Sequence, residues 1–169
     1  MTAQHPVPDE AQTAASKDRL RLWLRLLGVS RAIEATLRER LRQDFETTLP
    51  RFDVMAALDR HPEGLKMSQL SAKLRVSNGN VTGLVDRLVE EGHAERRAVE
   101  GDRRAFSVAL TAEGRARFAE YAAAHEGWVD EMLDSFAPAE AARIGTRLKT
   151  LSDQLATRPK NGREGGKSS

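Results

Sequence analysis

Between Ser77 and Arg87 the chain reads SNGNVTGLVDR, a run whose polar residues are the types that hydrogen-bond to base edges and phosphates. The amide of Asn78 or Asn80 can make two bonds to adenine, the hydroxyls of Ser77 and Thr82 can reach bases or phosphates, and Gly79 lets a backbone come close. Ser77 and Asn78 also suit the start of a helix, and capping does not exclude contact. Arg87 is placed either for a phosphate or for an internal ion pair. Asp86, which phosphates would repel, is expected to pair with Arg87 or with the segment that follows. Further on, Asp102-Arg103-Arg104 puts two guanidinium groups in a polar surface loop, where arginines are either simply solvated or of the right size and charge to enter a narrow A·T-rich minor groove.

Such residues work only if rigid elements hold them. Val81, Leu84, Val85, Leu88 and Val89 recur at steps of three, four, seven and eight, which makes one face of a helix opened by Ser77. Gly92 stands where a left-handed residue would end that helix. Asn78-Gly79 alone suggests a hairpin turn, but the helical stripe overrules it. Ala94–Val99 and Ala105–Leu110 are β-compatible runs joined by Glu100-Gly101-Asp102-Arg103-Arg104, a hairpin with a polar tip.

Upstream, Trp23, Leu26, Leu27, Ile33, Leu37, Leu41 and Phe45 mark one face of a long helix over 17–45. Thr48, with Pro50 just inside, opens a second helix that the HPEG segment closes. Leu65 to Met67 allows no more than a bridging strand, and Ser68 is placed to cap a third helix carrying Leu70 and Leu74. Downstream, Thr111 caps a helix through Phe118, Tyr121, His125, Trp128, Met132 and Phe136. Pro138 starts another, with Ile144, Leu148, Leu151 and Leu155 spaced like a packing seam. The reading is a mainly α fold of six helices with a small β wing, a winged helix-turn-helix in one domain over 17–157. Residues 1–16 and the basic 158–169 are expected as disordered tails.

The chain has 169 residues and a formal charge of +2. One domain with a real core fits that length. No apolar stretch approaches the roughly 20 residues of a membrane-spanning helix, and the first residues lack the pattern of a secretory signal, so no membrane partner and a cytoplasmic location are expected. There is no cysteine, which removes disulfides, thiol catalysis and thiol redox sensing. The four histidines, His5, His61, His93 and His125, are scattered without a diagnostic ligand spacing, so no metal site is expected. No P-loop, Rossmann fingerprint, HExxH or nucleophile-and-base pair is visible, and neither a cofactor nor an enzymatic activity is expected.

Position by position, Val76–Gly114 resembles the corresponding segment of the MarR family of bacterial transcription regulators, and the element order matches that architecture over 17–157. The resemblance implies a homodimer held by the helices in 17–45 and 111–157, with a winged helix-turn-helix over 48–110 on each side. It implies that Asp102 holds the wing loop or an arginine while Arg104, with Arg103, enters the groove of double-stranded DNA. It also implies a repressor, relieved by a small ligand, that recognises a near-palindromic operator. The chain departs from the pattern in two places: Gly92-His93-Ala94 replaces Gly-Leu-Val, and Ser71 stands where a small apolar residue is usual.

MarR-like regulators commonly answer to aromatic carboxylates bound between the dimer helices and the DNA-binding lobe. Trp23, Arg31, Phe52, Met55, Tyr121, His125 and Trp128 are the residues that could line such a pocket, although helical core packing explains the apolar ones equally. The arginines of the first helix, Arg19, Arg21, Arg25, Arg31, Arg38, Arg40 and Arg42, form either a solvated stripe or an attraction for a larger anion. The LRLWLRLL stretch loosely resembles regulators answering to hydroxycinnamoyl-CoA, which makes an aromatic acyl-CoA a second effector class. The competing reading is a winged helix used as a protein-interaction module, in which Asn80 and the wing arginines would be dispensable.

Overall fold

The computed structural model describes residues 10–74, 77–99 and 102–157, with side chains for 14–74, 77, 79–98 and 106–157. Six helices and three short strands follow in the order α-α-β-α-α-β-β-α-α. The chain divides after Val129 into two compact units.

Helix α1, Glu10–Phe45, is 36 residues long, about 54 Å at the helical rise. Residues 10–16 are therefore its first turns and not the tail expected from their composition. The helix stops at Glu46, whose φ of 52° is left-handed; its amide bonds the Arg42 carbonyl and the next amide, of Thr47, bonds the Leu41 carbonyl, both at 3.2 Å, so a left-handed residue satisfies the last carbonyls of the helix. Helix α2, Leu49–Asp59, begins as its sequence suggests: Thr48 is extended, its hydroxyl accepts from the Arg51 amide, and Pro50 lies at the start. Phe52, Val54, Met55, Ala57 and Leu58 are its buried side.

Strand β1 is only Leu65–Lys66. Gly64 before it has a φ of +91°, and a Cβ there would lie 3.0 Å from the Val108 carbonyl oxygen, so the turn requires glycine. Helix α3, Met67–Leu74, starts two residues earlier than a Ser68 cap would place it. Ser68 is thus inside the helix; the Gln69 side chain reaches back to accept from the Lys66 amide at 2.9 Å, half of a capping box without a capping hydroxyl. Ser71, one of the two departures from the family pattern, is buried and donates its hydroxyl to the Met67 carbonyl at 3.0 Å. That bond explains how the core accepts a polar residue at this place.

Helix α4, Asn78–Glu90, follows an extended Ser77 that makes no side-chain cap bond. Strands β2, Ala94–Val99, and β3, Asp102–Leu110, form the wing. The three strands are antiparallel in the order β1-β3-β2. Strand β3 begins at Asp102, three residues before the expected Ala105, so Asp102, Arg103 and Arg104 belong to a strand and not to a hairpin tip. Asp102 pairs with Val99 just past an irregularity between Ala98 and Val99. Period-2 hydrophobicity could not reveal this, because a strand projecting past the core has no apolar face.

Helix α5, Ala112–Met132, is capped by Thr111, whose Oγ1 accepts from the Gly114 amide at 2.9 Å. It ends before Phe136, which the spacing had included. Helix α6, Pro138–Thr157, starts at the expected proline. The core of the first unit joins Leu41, Val54, Met55, Leu58, Leu70, Val81, Val85, Leu88, Val108 and Leu110, all essentially without exposure. Helix α4 supplies three of these at i, i+4 and i+7, which fixes its rotation.

Candidate nucleic-acid interface

With Val81, Val85 and Leu88 turned inward, geometry points Gly79, Thr82, Gly83, Asp86 and Arg87 away from the core. Gly79, Asn80, Thr82, Gly83 and Arg87 are exposed. A Cβ at Gly79 or Gly83 would meet nothing within 4 Å. Two glycines in one exposed helix cost about 1 kcal/mol each relative to alanine, and nothing inside the protein requires them. A bare helix face is what a close external partner needs. Asn80 and Leu84 also border a cavity of about 370 Å³ shared with Pro50, Asp53 and Leu74.

Asp86 and Arg87, equivalent in the sequence, are separated by the structure. The Asp86 carboxylate pairs with the Arg96 guanidinium of β2, which lies 5.1 Å from the centre of the Phe106 ring. The expected partner of Asp86 is therefore the wing, and the pair ties the exposed face of α4 to β2. Arg87 makes no ion pair among the described residues and stays exposed. Arg97 is held by Glu95 and by the Pro62 carbonyl at 3.0 Å. The side chains of Asn78, Asp102, Arg103 and Arg104 lie outside the described residues; their backbone is at the start of α4 and of β3.

The residues proposed for a small ligand fall into three places. Trp23 and Arg31 are exposed on α1. Phe52, Met55 and Tyr121 are buried in the core. His125 and Trp128 are half-buried on α5: His125 stacks on Phe52 with centroids 4.6 Å apart, and Trp128 lies 6.0 Å from both the Phe45 ring and the Arg40 guanidinium. Asp53, which no spacing singled out, stands beside His125. Burial raises the Asp53 carboxyl above its usual range, against the pull of His125 and with the help of Glu34. Burial lowers His125, against Asp53. In α1, Arg21, Arg38 and Arg42 are taken up by Asp18, Glu34 and Glu39 one turn away.

Among the described residues no three His, Cys, Asp or Glu side chains are grouped to hold a metal ion. Among the described residues no helix is long and apolar enough to cross a membrane.

A helix with an exposed polar start, preceded by the short helix α3 and followed by a two-stranded wing tied to it, is a winged helix-turn-helix of the DNA-binding class. A sequence model of the MarR family matches residues 46–105. The chain is 30% identical over 110 residues to the HTH-type transcriptional regulator YfiV of Bacillus subtilis, covering 65% of this chain and 68% of that protein. It is 25% identical over 153 residues to the HTH-type transcriptional repressor YetL of the same species, covering 89% and 91%. A MarR family transcriptional regulator from Silicibacter pomeroyi superposes with a TM-score of 0.68 at 31% identity, over 83% of this chain and 97% of that one. The chain belongs to the MarR family of transcription regulators.

Proposed function

We propose that the protein is a homodimeric repressor that places α4 of each protomer in the major groove and the start of β3 in the adjoining minor groove of a near-palindromic operator. The observation that carries this reading is the glycine-bared face of α4 beside exposed Asn80, Thr82 and Arg87, braced by the Asp86–Arg96 pair. Asn80 and Thr82, with Ser77 and Asn78, read base edges, while Arg87 meets phosphate. Arg103 and Arg104 enter the minor groove, with Asp102 holding them.

A second copy is supported by apolar surface that one chain leaves uncovered. Ile144, Leu148, Leu151 and Leu155 of α6 are 38–57% exposed, and Leu20, Leu22, Trp23, Leu24 and Val29 of α1 are 55–58% exposed. Two-fold symmetry then sets the operator half-sites about 34 Å apart, one helical turn of DNA.

Relief comes from a small aromatic effector that binds the DNA-competent and incompetent states with different affinity. The Phe52–His125 stack and Trp128 supply aromatic surface for it, and Arg31, with no ion pair among the described residues, supplies charge for a carboxylate. An aromatic acyl-CoA is the larger alternative, with fewer unpaired α1 arginines to support it. Calorimetry with a free aromatic acid and its CoA ester separates the two.

The test of the repressor reading is a gel mobility shift with duplex from upstream of the protein's own coding sequence. One duplex should bind better than random DNA of equal length at moderate salt, and Arg104→Ala should weaken binding and lower the salt slope by about one unit. Equal binding of all duplexes would favour a protein-interaction module.

A further inference from the structure

Away from the base-reading residues, three side chains join α2, the end of α4 and the root of the wing. Arg51, on the first turn of α2, donates Nη1 to Glu91 Oε1 at 3.0 Å and Nη2 to Oε2. Glu91 is the residue on which α4 ends. His93 brings its Nδ1 to 3.4 Å from the same Oε2. The Arg51 and His93 side chains are only 16% and 17% exposed. The His93 backbone is held on both sides, its amide donating to the Leu88 carbonyl at 2.8 Å and its carbonyl accepting from Thr111 at 3.1 Å.

We propose that Glu91 is a positioning residue for DNA binding: gripped by Arg51, it fixes the angle at which the wing leaves the recognition helix. The inference rests on the reading of α4 and the wing as the DNA-binding elements. An exposed ion pair between flexible side chains contributes little. This pair differs in being two-pronged, in spanning elements 40 positions apart, and in leaving Arg51 buried, where loss of the carboxylate strands a charge. Only Gly92 separates Glu91 from the residue that begins the approach to β2, so any swing of Glu91 moves the wing against α4. A fixed angle is needed for two grooves to be entered at once, and it is needed less where DNA is held through phosphates alone.

Arg51 has a second possible use, direct contact with phosphate, and the two leave different traces. A phosphate contact lowers affinity for every duplex and reduces the salt slope. A positioning pair lowers affinity for the operator, spares random DNA and leaves the slope unchanged. The variants are Glu91→Gln, Glu91→Asp, Arg51→Gln and the exchange Arg51→Glu with Glu91→Arg, each checked by thermal melting and assayed across a range of salt on the upstream duplex that the wild type binds best and on a scrambled duplex. The expected result is an operator affinity about tenfold lower for Glu91→Gln, a smaller loss for Glu91→Asp, unchanged binding to scrambled DNA and recovery to within about threefold in the exchange.

Wild-type operator affinity in Glu91→Gln, equal losses on both duplexes, or a reduced slope in Arg51→Gln overturns the proposal while the DNA-binding reading stands. Failure of the wild type to prefer any duplex removes both. If Glu91→Gln unfolds at assay temperature, Glu91→Asp and the exchange decide alone: no loss in the first, or no recovery in the second, overturns it.

Discussion

At the scale of single residues, the polar positions of α4 were legible because an unambiguous stripe at 81, 85 and 88 settles which way every neighbour points. Asp86 was half legible: its charge excludes phosphate, but its choice of Arg96 over the adjacent Arg87 depends on where β2 lies. Asp53 was not legible at all, since burial in the fold is what lifts its carboxyl, and His125 of α5, whose charge opposes that lift, comes beside it only through tertiary packing. That contact has a consequence that can be measured. Burial holds the native His125 below the usual imidazole value of 6.5, so the unfolded chain takes up a proton first as the pH drops. The native stability that His125 contributes is thus complete above 6.5 and is lost as pH falls through the lowered value. His125→Phe keeps an aromatic ring against Phe52 and removes the proton. Thermal melts at pH 7.5 and 5.5 should show a smaller acid-induced drop for the variant than for the wild type; parallel drops would mean that the imidazole is not desolvated.

At the scale of elements, caps with a side-chain hydroxyl or proline were readable: Thr48, Thr111 and Pro138 start their helices as expected. Starts made without such a signal were not. Helix α3 uses Gln69 bonding backward to Lys66, and Ser68, the better-looking cap, falls inside. The early start of β3 was hidden because it rests on Asp102 pairing with Val99 of the other wing strand, past an irregularity in the ladder. The junction of wing and α5 is the tightest of these joints. A Cβ on Gly114 would stand 1.8 Å from the His93 carbonyl oxygen, a backbone atom held by the Thr111 amide. Gly114→Ala must therefore separate α5 from the wing root. It should cost about 3 kcal/mol of stability, at the upper end of overpacking effects, read as a fall in the denaturation midpoint with urea. A variant as stable as the wild type would show that the joint gives way freely.

At the scale of the whole molecule, one chain leaves two apolar tracts exposed, on α1 and along α6. The spacing of the α6 tract was evident in the sequence, whereas the exposed tract of α1 shares only Trp23 with the face read from spacing; what covers the two was not evident, because an amphipathic face reads the same against its own chain or another. The homodimer reading expects Leu148→Glu with Leu151→Glu to halve the mass seen by light scattering, and with it to abolish cooperative operator binding. An unchanged mass would place the dimer contact elsewhere or remove it. The central claim, that the N-terminal turns of α4 read DNA sequence, is tested most directly by comparing Asn80→Ala with the wild type on the preferred duplex and on its scrambled counterpart across a range of salt. The account predicts a loss on the preferred duplex of about 1–3 kcal/mol, little change on scrambled DNA and the same salt slope. Equal affinities for the two proteins on both duplexes, or equal losses on both, would contradict it.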